Sequence, residues 1–154
     1  MKLWSREIEI NAPIEQVWNL LDGPTENMQK IMPQVIENKP VKVTEEGVGS
    51  VYRQKYKEGK RIEEYDVETL EYENTRDHKK LKVSFTLANM FEITALYEMT
   101  KVDDNKTFFR YTATNRALKW FVHVFLWFSN EKVVTEFLER VKKVAESERQ
   151  FITK

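Results

Sequence analysis

Arg61 and Glu63 stand two residues apart in a stretch that reads as a strand, so both side chains leave the same face. A cation and a carboxylate so placed can reach solvent at the open end of a sheet, satisfy each other, or hold the polar end of a ligand. Buried without any of these, each would carry a heavy desolvation penalty. Tyr97 and Tyr111 offer phenols that can pack as rings with a polar handle or move protons. His123 is one of two histidines, with His78. As a general acid or base it needs a hydrogen-bonding partner and a tuned pKa, and the sequence names neither, so it reads first as a hydrogen-bonded core residue and only second as a catalyst.

Other chemistries are poorly supplied. Two histidines cannot make a histidine metal triad, and the carboxylates show neither H-E-x-x-H nor EF-hand spacing, so no metal is expected. With no cysteine there is no thiol nucleophile, disulfide or thiolate site. No G-x-S-x-G and no glycine-rich phosphate loop occurs, so no cofactor and no catalytic residue is assigned.

The 154 residues make one expected domain, 1–154, long enough to bury roughly 70% of the unfolded chain's surface. Hydrophobic residues are 41% and charged residues 32%, with 25 basic against 25 acidic, which suits a soluble globular protein and provides no basic field for nucleic acid. The first residues, Met1 to Glu7, lack an apolar run, so no signal peptide is expected; with the missing cysteines this predicts a cytoplasmic protein.

The elements that must position these side chains follow from pattern. Residues 3–10 read as a strand. Asn11-Ala12-Pro13 starts a short helix over 14–21, with Asn11 as its cap, and Asp22-Gly23-Pro24 ends it. A second short helix, 25–32, stops at Pro33. Strands are then predicted over 36–44, 49–57, 60–72, 78–87, 91–102 and 107–116. The last segment, 129–149, sets Val133, Val134, Phe137, Leu138, Val141, Val144 and Ala145 on one stripe at helical spacing, an amphipathic helix that needs a sheet to cover.

Register can be tested turn by turn. A loop at Glu58-Gly59 pairs Lys57 with Lys60 and puts Tyr52, Gln54 and Tyr56 on one face with Tyr65, Glu63 and Arg61, leaving Arg53 opposite Glu64 on the other. A five-residue loop over 73–77 pairs Tyr65, Val67 and Thr69 with Phe85, Val83 and Leu81. Three residues at 88–90 carry that face on to Ile93, Ala95 and Tyr97. At 103–106, a two- or four-residue loop would set Tyr97 and Met99 against the polar phase of Arg110 and Thr112. A three-residue loop, Asp104 to Lys106, pairs Met99 with Tyr111 and Tyr97 with Ala113 and is the one expected. A single inward face results, mostly apolar but carrying Gln54, Tyr56, Arg61, Glu63, both tyrosines and Asn115.

The order of strand, two short helices, six strands and long helix resembles the START-like superfamily (SRPBCC, the Bet v-type helix-grip fold), in particular its polyketide cyclase/dehydrase and lipid-transport branch. The resemblance is carried by Ile8-Glu9-Ile10-Asn11-Ala12-Pro13-Ile14-Glu15-Gln16-Val17-Trp18-Asn19-Leu20-Leu21-Asp22, by Met32-Pro33 and Gly47-Val48-Gly49-Ser50, and by Leu138, Val141, Lys142, Ala145 and Glu146 in the last helix. One departure is that Met28 and Ile31 stand where many relatives carry tryptophan. The resemblance implies an α+β fold in which a curved, seven-stranded antiparallel sheet wraps the C-terminal helix around a cavity for an apolar small molecule. Such sites typically span about 300–1,000 Å³ with a few placed polar groups. The side chains expected to line it are Gln54, Tyr56, Arg61 and Glu63; then Val67, Val83 and Phe85; then Ile93, Tyr97, Met99 and Tyr111. The last helix and the segment before it would add His123, Leu126, Trp127, Phe137 and Val141.

That preceding segment, Leu118 to Phe128, is eleven residues long with Lys119 and His123 inside it, against the 20 or so apolar residues a membrane span requires. On one continuous helix His123 would face the cavity, while Phe121, Val124, Phe125 and Phe128 would project into water. A helix break at Ser129 making 118–128 a lid, a homodimer through it, or contact with a membrane surface would each resolve this. The function expected is binding or carriage of a lipid, isoprenoid or polyketide-like molecule. A cyclase or aromatase acting in the same cavity, or a protein-interaction module using 118–128, are the alternatives.

Overall fold

A computed structural model describes residues 2–87, 91–117 and 131–148. The chain runs β1 (Lys2–Ile10), α1 (Ile14–Trp18), α2 (Thr25–Ile31), β2 (Val35–Lys42), β3 (Val51–Glu58), β4 (Arg61–Asn74), β5 (His78–Leu87), β6 (Phe91–Asp103), β7 (Lys106–Ala117) and α3 (Glu131–Ser147). The strands form one antiparallel sheet in the order β1-β7-β6-β5-β4-β3-β2, the helix-grip arrangement of seven strands, two early helices and a C-terminal helix.

Two expectations fail at the first helix. Helix α1 ends at Trp18 rather than residue 21, and Pro13 stands at its N-cap without a side-chain cap. Asn11 does not cap. Its backbone N–H instead donates to Glu146 Oε2 at 2.7 Å, tying the end of β1 to α3.

The strands alternate as half-buried strands do, but the turns differ from expectation in ways that preserve which face points inward. The β3–β4 turn is Gly59-Lys60, with Glu58 opposite Arg61 and Lys57 opposite Ile62; Gly59 takes φ 62°, which a glycine supplies without steric cost. The pairing is therefore two residues from the one expected: Gln54 faces Tyr65, and Arg53 faces Asp66, not Glu64. In β4 a bulge lies between Thr69 and Glu71, so Thr69 pairs with Val83 and Tyr72 with Leu81. The extra residue keeps Glu71 outside, bonded to Lys80, and turns Tyr72 inward. The β5–β6 ladder runs as expected, with Phe85, Val83 and Leu81 opposite Ile93, Ala95 and Tyr97.

The β6–β7 turn is Asp104-Asn105, two residues rather than three, and Asn105 N–H bonds Asp103 Oδ1 at 2.8 Å. The parity problem such a turn poses is solved by a bulge between Lys101 and Asp103. Tyr97 thus meets Tyr111, and Met99 meets Phe109. The outward face is a ladder of cross-strand ion pairs, among them Arg53–Asp66 and Arg110–Glu7, both at 2.9 Å, and Lys55–Glu37 at 3.0 Å.

Helix α3 buries Val134, Phe137, Leu138, Val141 and Ala145, the one-face spacing of an amphipathic helix. Val133, expected on the stripe, is 46% exposed, because it lies at the margin of that arc. The helix is held along β1 by an Arg6–Glu131 ion pair and by Lys142 Nζ donating to the Glu9 carbonyl at 2.8 Å. Arg140 reaches the Ile31 carbonyl at the end of α2. No described helix is long and apolar enough to cross a membrane.

Candidate functional site

The inner face of the sheet divides into two regions. At one end α1 and α2 lay Ile14, Val17, Trp18 and Ile31 against Met99 and Phe109, with Val141 and Phe137 closing from α3, all buried. Met28 and Ile31, at the positions where relatives carry tryptophan, belong to this packed helical side. Burial of each large side chain here contributes about 1.5–3 kcal/mol.

Tyr97, Tyr111 and Phe137 form an aromatic cluster at the edge of that core. The two phenol rings stack at 5.2 Å, and Phe137 tilts onto them at 6.0 and 4.8 Å. Burial pushes the Tyr111 phenol up to about 12 and raises Tyr97 well above the ordinary tyrosine value, where nearby phenols add to the effect. Both phenols are therefore neutral hydrogen-bonding groups across the physiological range.

Towards β3 and β4 the inner face is mixed. Tyr65 stacks on Phe85 at 4.8 Å, and burial, with Tyr56 and Glu63 nearby, raises the Tyr65 phenol. Val67 is buried. Gln54, Tyr56, Val83, Phe85 and Ile93 are half-buried on the same side, and Gln54 Nε2 lies 3.9 Å from Met28 Sδ. Arg61 and Glu63 pair with each other at 2.6 Å through the arginine Nε. The Arg61 side chain is 69% exposed at the hairpin end, which matches the solvent-reaching, mutually satisfied alternative. His123, Leu126 and Trp127, with the lid, dimer and membrane-surface expectations for 118–128, lie outside the described residues.

One cluster was not anticipated. Lys79 is a buried lysine, its side chain 2% exposed, whose ammonium bonds Glu15 at 2.9 Å, the Asn74 side chain at 2.5 Å and the Thr75 carbonyl at 3.0 Å. It also lies 5.9 Å from the Trp18 ring centre. Beside it Tyr72 donates to Asp22 Oδ2 at 2.5 Å and meets Trp18 edge-on at 6.0 Å. Burial, then this carboxylate, pushes the Tyr72 phenol up to about 12. The signal for Lys79 was present in its parity with Leu81, Val83 and Phe85; a charged side chain in that phase is read by default as a strand end in water. The signal for Tyr72 was hidden by the bulge.

Among the described residues no group of three or more histidine, cysteine or carboxylate side chains could hold a metal. Among the described residues of the inner face, Tyr97 and Tyr111 are neutral phenols, and Arg61, Glu63 and Lys79 are held in ion pairs.

Similarity to known proteins agrees with the fold. Norcoclaurine synthase from Thalictrum flavum, solved in complex with dopamine and hydroxybenzaldehyde, superposes with a TM-score of 0.65 at 13% identity, over 97% of this chain and 88% of that one. The Zhui aromatase/cyclase from Streptomyces sp. R1128 gives 0.67 at 17%, over 94% and 93%. Ara h 8.0201 gives 0.68 at 11%, over 95% and 98%. No curated protein matches the chain by sequence. Residues 1–146 match the family described as polyketide cyclase / dehydrase and lipid transport, and to that family, of START-like, SRPBCC type, the chain belongs.

Proposed function

We propose that this chain binds an apolar small molecule, of lipid, isoprenoid or polyketide-like character, against the inner face of its sheet, and that it does so as a carrier or binder. The observation that carries the reading is the division of that face: packed against α1, α2 and α3 at one end, half-buried and mixed at the other, where Tyr56, Gln54, Val83, Phe85 and Ile93 stand on the side facing the interior. Apolar walls with a few polar groups are what small-molecule sites consist of. The family, named for both cyclisation and lipid transport, accommodates the reading.

A cyclase or aromatase role is the second reading, favoured by the likeness to an aromatase/cyclase. Against it, the phenols of Tyr97 and Tyr111 hold their protons far above neutrality, which suits packing and hydrogen bonding better than proton transfer. Native mass spectrometry of gently purified protein, followed by titration with 1-anilinonaphthalene-8-sulfonate, tests the binding reading. Co-purified apolar mass or saturable fluorescence at one site supports it, and an interior that takes up neither overturns it. Turnover of a polyketide-like substrate abolished by Tyr97→Phe, with binding intact, would move the assignment to the enzyme.

A further inference from the structure

Asn115 is 0% exposed, and neither its Oδ1 nor its Nδ2 has a hydrogen-bond partner among the described residues. A carboxamide carries two donor hydrogens and an acceptor oxygen, so burying it unbonded forfeits its hydration with nothing in return. Buried polar groups are normally satisfied, and an exception needs a reason in function or in structure.

Its position supplies one. Asn115 lies on β7 opposite Ile93 of β6 and Lys2 of β1, and strand alternation places it on the inner face with Phe109, Tyr111 and Ala113. Along that face the paired residues run Tyr97–Tyr111, Ala95–Ala113, Ile93–Asn115. The two alanines are the smallest side chains in the row. Both are buried, and beyond them Phe137 lies on the two phenols, so the half-buried direction from Asn115 runs through Ile93 to Phe85.

We propose that Asn115 is the polar anchor of the ligand site and selects a neutral ring compound bearing a donor and an acceptor side by side, such as a carboxamide, a lactam or a hydroxyl beside a carbonyl. The proposal rests on the apolar-ligand reading above and adds the residue that orients the ligand. The amide compensates no charge, so the group it meets is uncharged; it offers donor and acceptor together, so the group it meets presents both. The rings lie towards Ile93 and Phe85, on the half-buried part of the inner face.

The test compares 2-naphthamide with 2-isopropylnaphthalene, which has nearly the same shape and no polar atom, by calorimetric titration of the full chain and its Asn115→Leu variant. Wild type is expected to take both probes. The variant should lose about tenfold or more in affinity for the amide and stay within about twofold for the hydrocarbon. Unliganded, the variant should unfold at a higher temperature, because a buried amide with no hydrogen-bond partner among the described residues has been replaced by an apolar group. Asn115→Thr, keeping one hydroxyl on a β-branched strand former, should show a smaller loss in the same direction and serves if the leucine variant does not fold. Unchanged amide affinity, equal loss of both probes, or a lower unfolding temperature would overturn the anchor role while leaving the apolar-ligand reading standing. Wild type binding neither probe overturns that reading and the anchor with it.

Discussion

Tyr97 and Tyr111 are direct partners in the β6–β7 ladder, their rings stacked 5.2 Å apart and 13° from parallel, and Phe137 of α3 tilts onto both. This contact joins the C-terminal helix to the middle of the sheet, and it exists because a bulge between Lys101 and Asp103 lets a two-residue turn keep both phenols on the inner face.

Removing the helix side of that contact should be expensive. Phe137→Ala is expected to lower stability by about 3 kcal/mol or more, through lost burial and the cavity left over two rings. Phe137→Leu should lose about 1 kcal/mol. Urea unfolding followed by tryptophan fluorescence measures both, and equal values for the two would show that refilling the volume recovers nothing and that the contact depends on the ring itself.

The tyrosines also predict a pH window. Tyr111 is pushed up to about 12 by burial, against about 10 in an unfolded chain. Between those values the unfolded state releases a proton that the folded state retains, so ν(U) is below ν(N) and stability falls as pH rises. The contribution is fully present below pH about 10 and disappears through about 12. Tyr111→Phe should flatten this alkaline slope in urea titrations at pH 9 to 12; an unchanged slope would place the loss elsewhere.

Gly47 and Gly49 form a matched pair, both at φ 88°. A Cβ on Gly47 would come within 2.7 Å of the Tyr72 ring, whereas one on Gly49 meets only Thr44 Cγ2 at 3.6 Å. Gly49→Ala should therefore show the backbone penalty alone, about 1 kcal/mol, and Gly47→Ala distinctly more. Thermal unfolding of the two variants side by side decides it; equal melting temperatures would mean Tyr72 gives way freely.

Lys79 and Glu15 should respond unequally although they share an ion pair. Glu15 is 70% exposed, so Glu15→Gln removes a screened partner and should change stability by about 0.5 kcal/mol or less. Lys79→Ala removes the bonds to Asn74 and Thr75 and the aliphatic stem, for an expected loss of about 2 kcal/mol. Denaturant midpoints at low and high salt check this, since only the Glu15 contribution should be salt-sensitive.

Much of the architecture was legible from pattern. The seven strands, two short helices and the amphipathic stripe of α3 follow from periodicities of 2 and 3.6, which depend on local backbone geometry and on burying one face. The inward phase also held, so Gln54, Tyr65, Val67, Val83, Ile93, Tyr97, Met99 and Tyr111 stand on the side expected. Exact pairing was less legible. The Gly59-Lys60 and Asp104-Asn105 turns, and the bulges in β4 and β6, each move a partner by one or two residues without changing the alternation that a sequence displays.

Which partner each polar group finds was decided only in three dimensions. Arg61 and Glu63 could be weighed as a pair from their spacing, and they are one. That Lys79 on β5 would meet Glu15 on α1, that Tyr72 would meet Asp22, and that Asn115 would be buried with no described partner depended on contacts between residues far apart in the chain. Alternation determines the side on which a group stands. Desolvation and hydrogen bonding depend on what else arrives there, and that is set by how the helices close over the sheet.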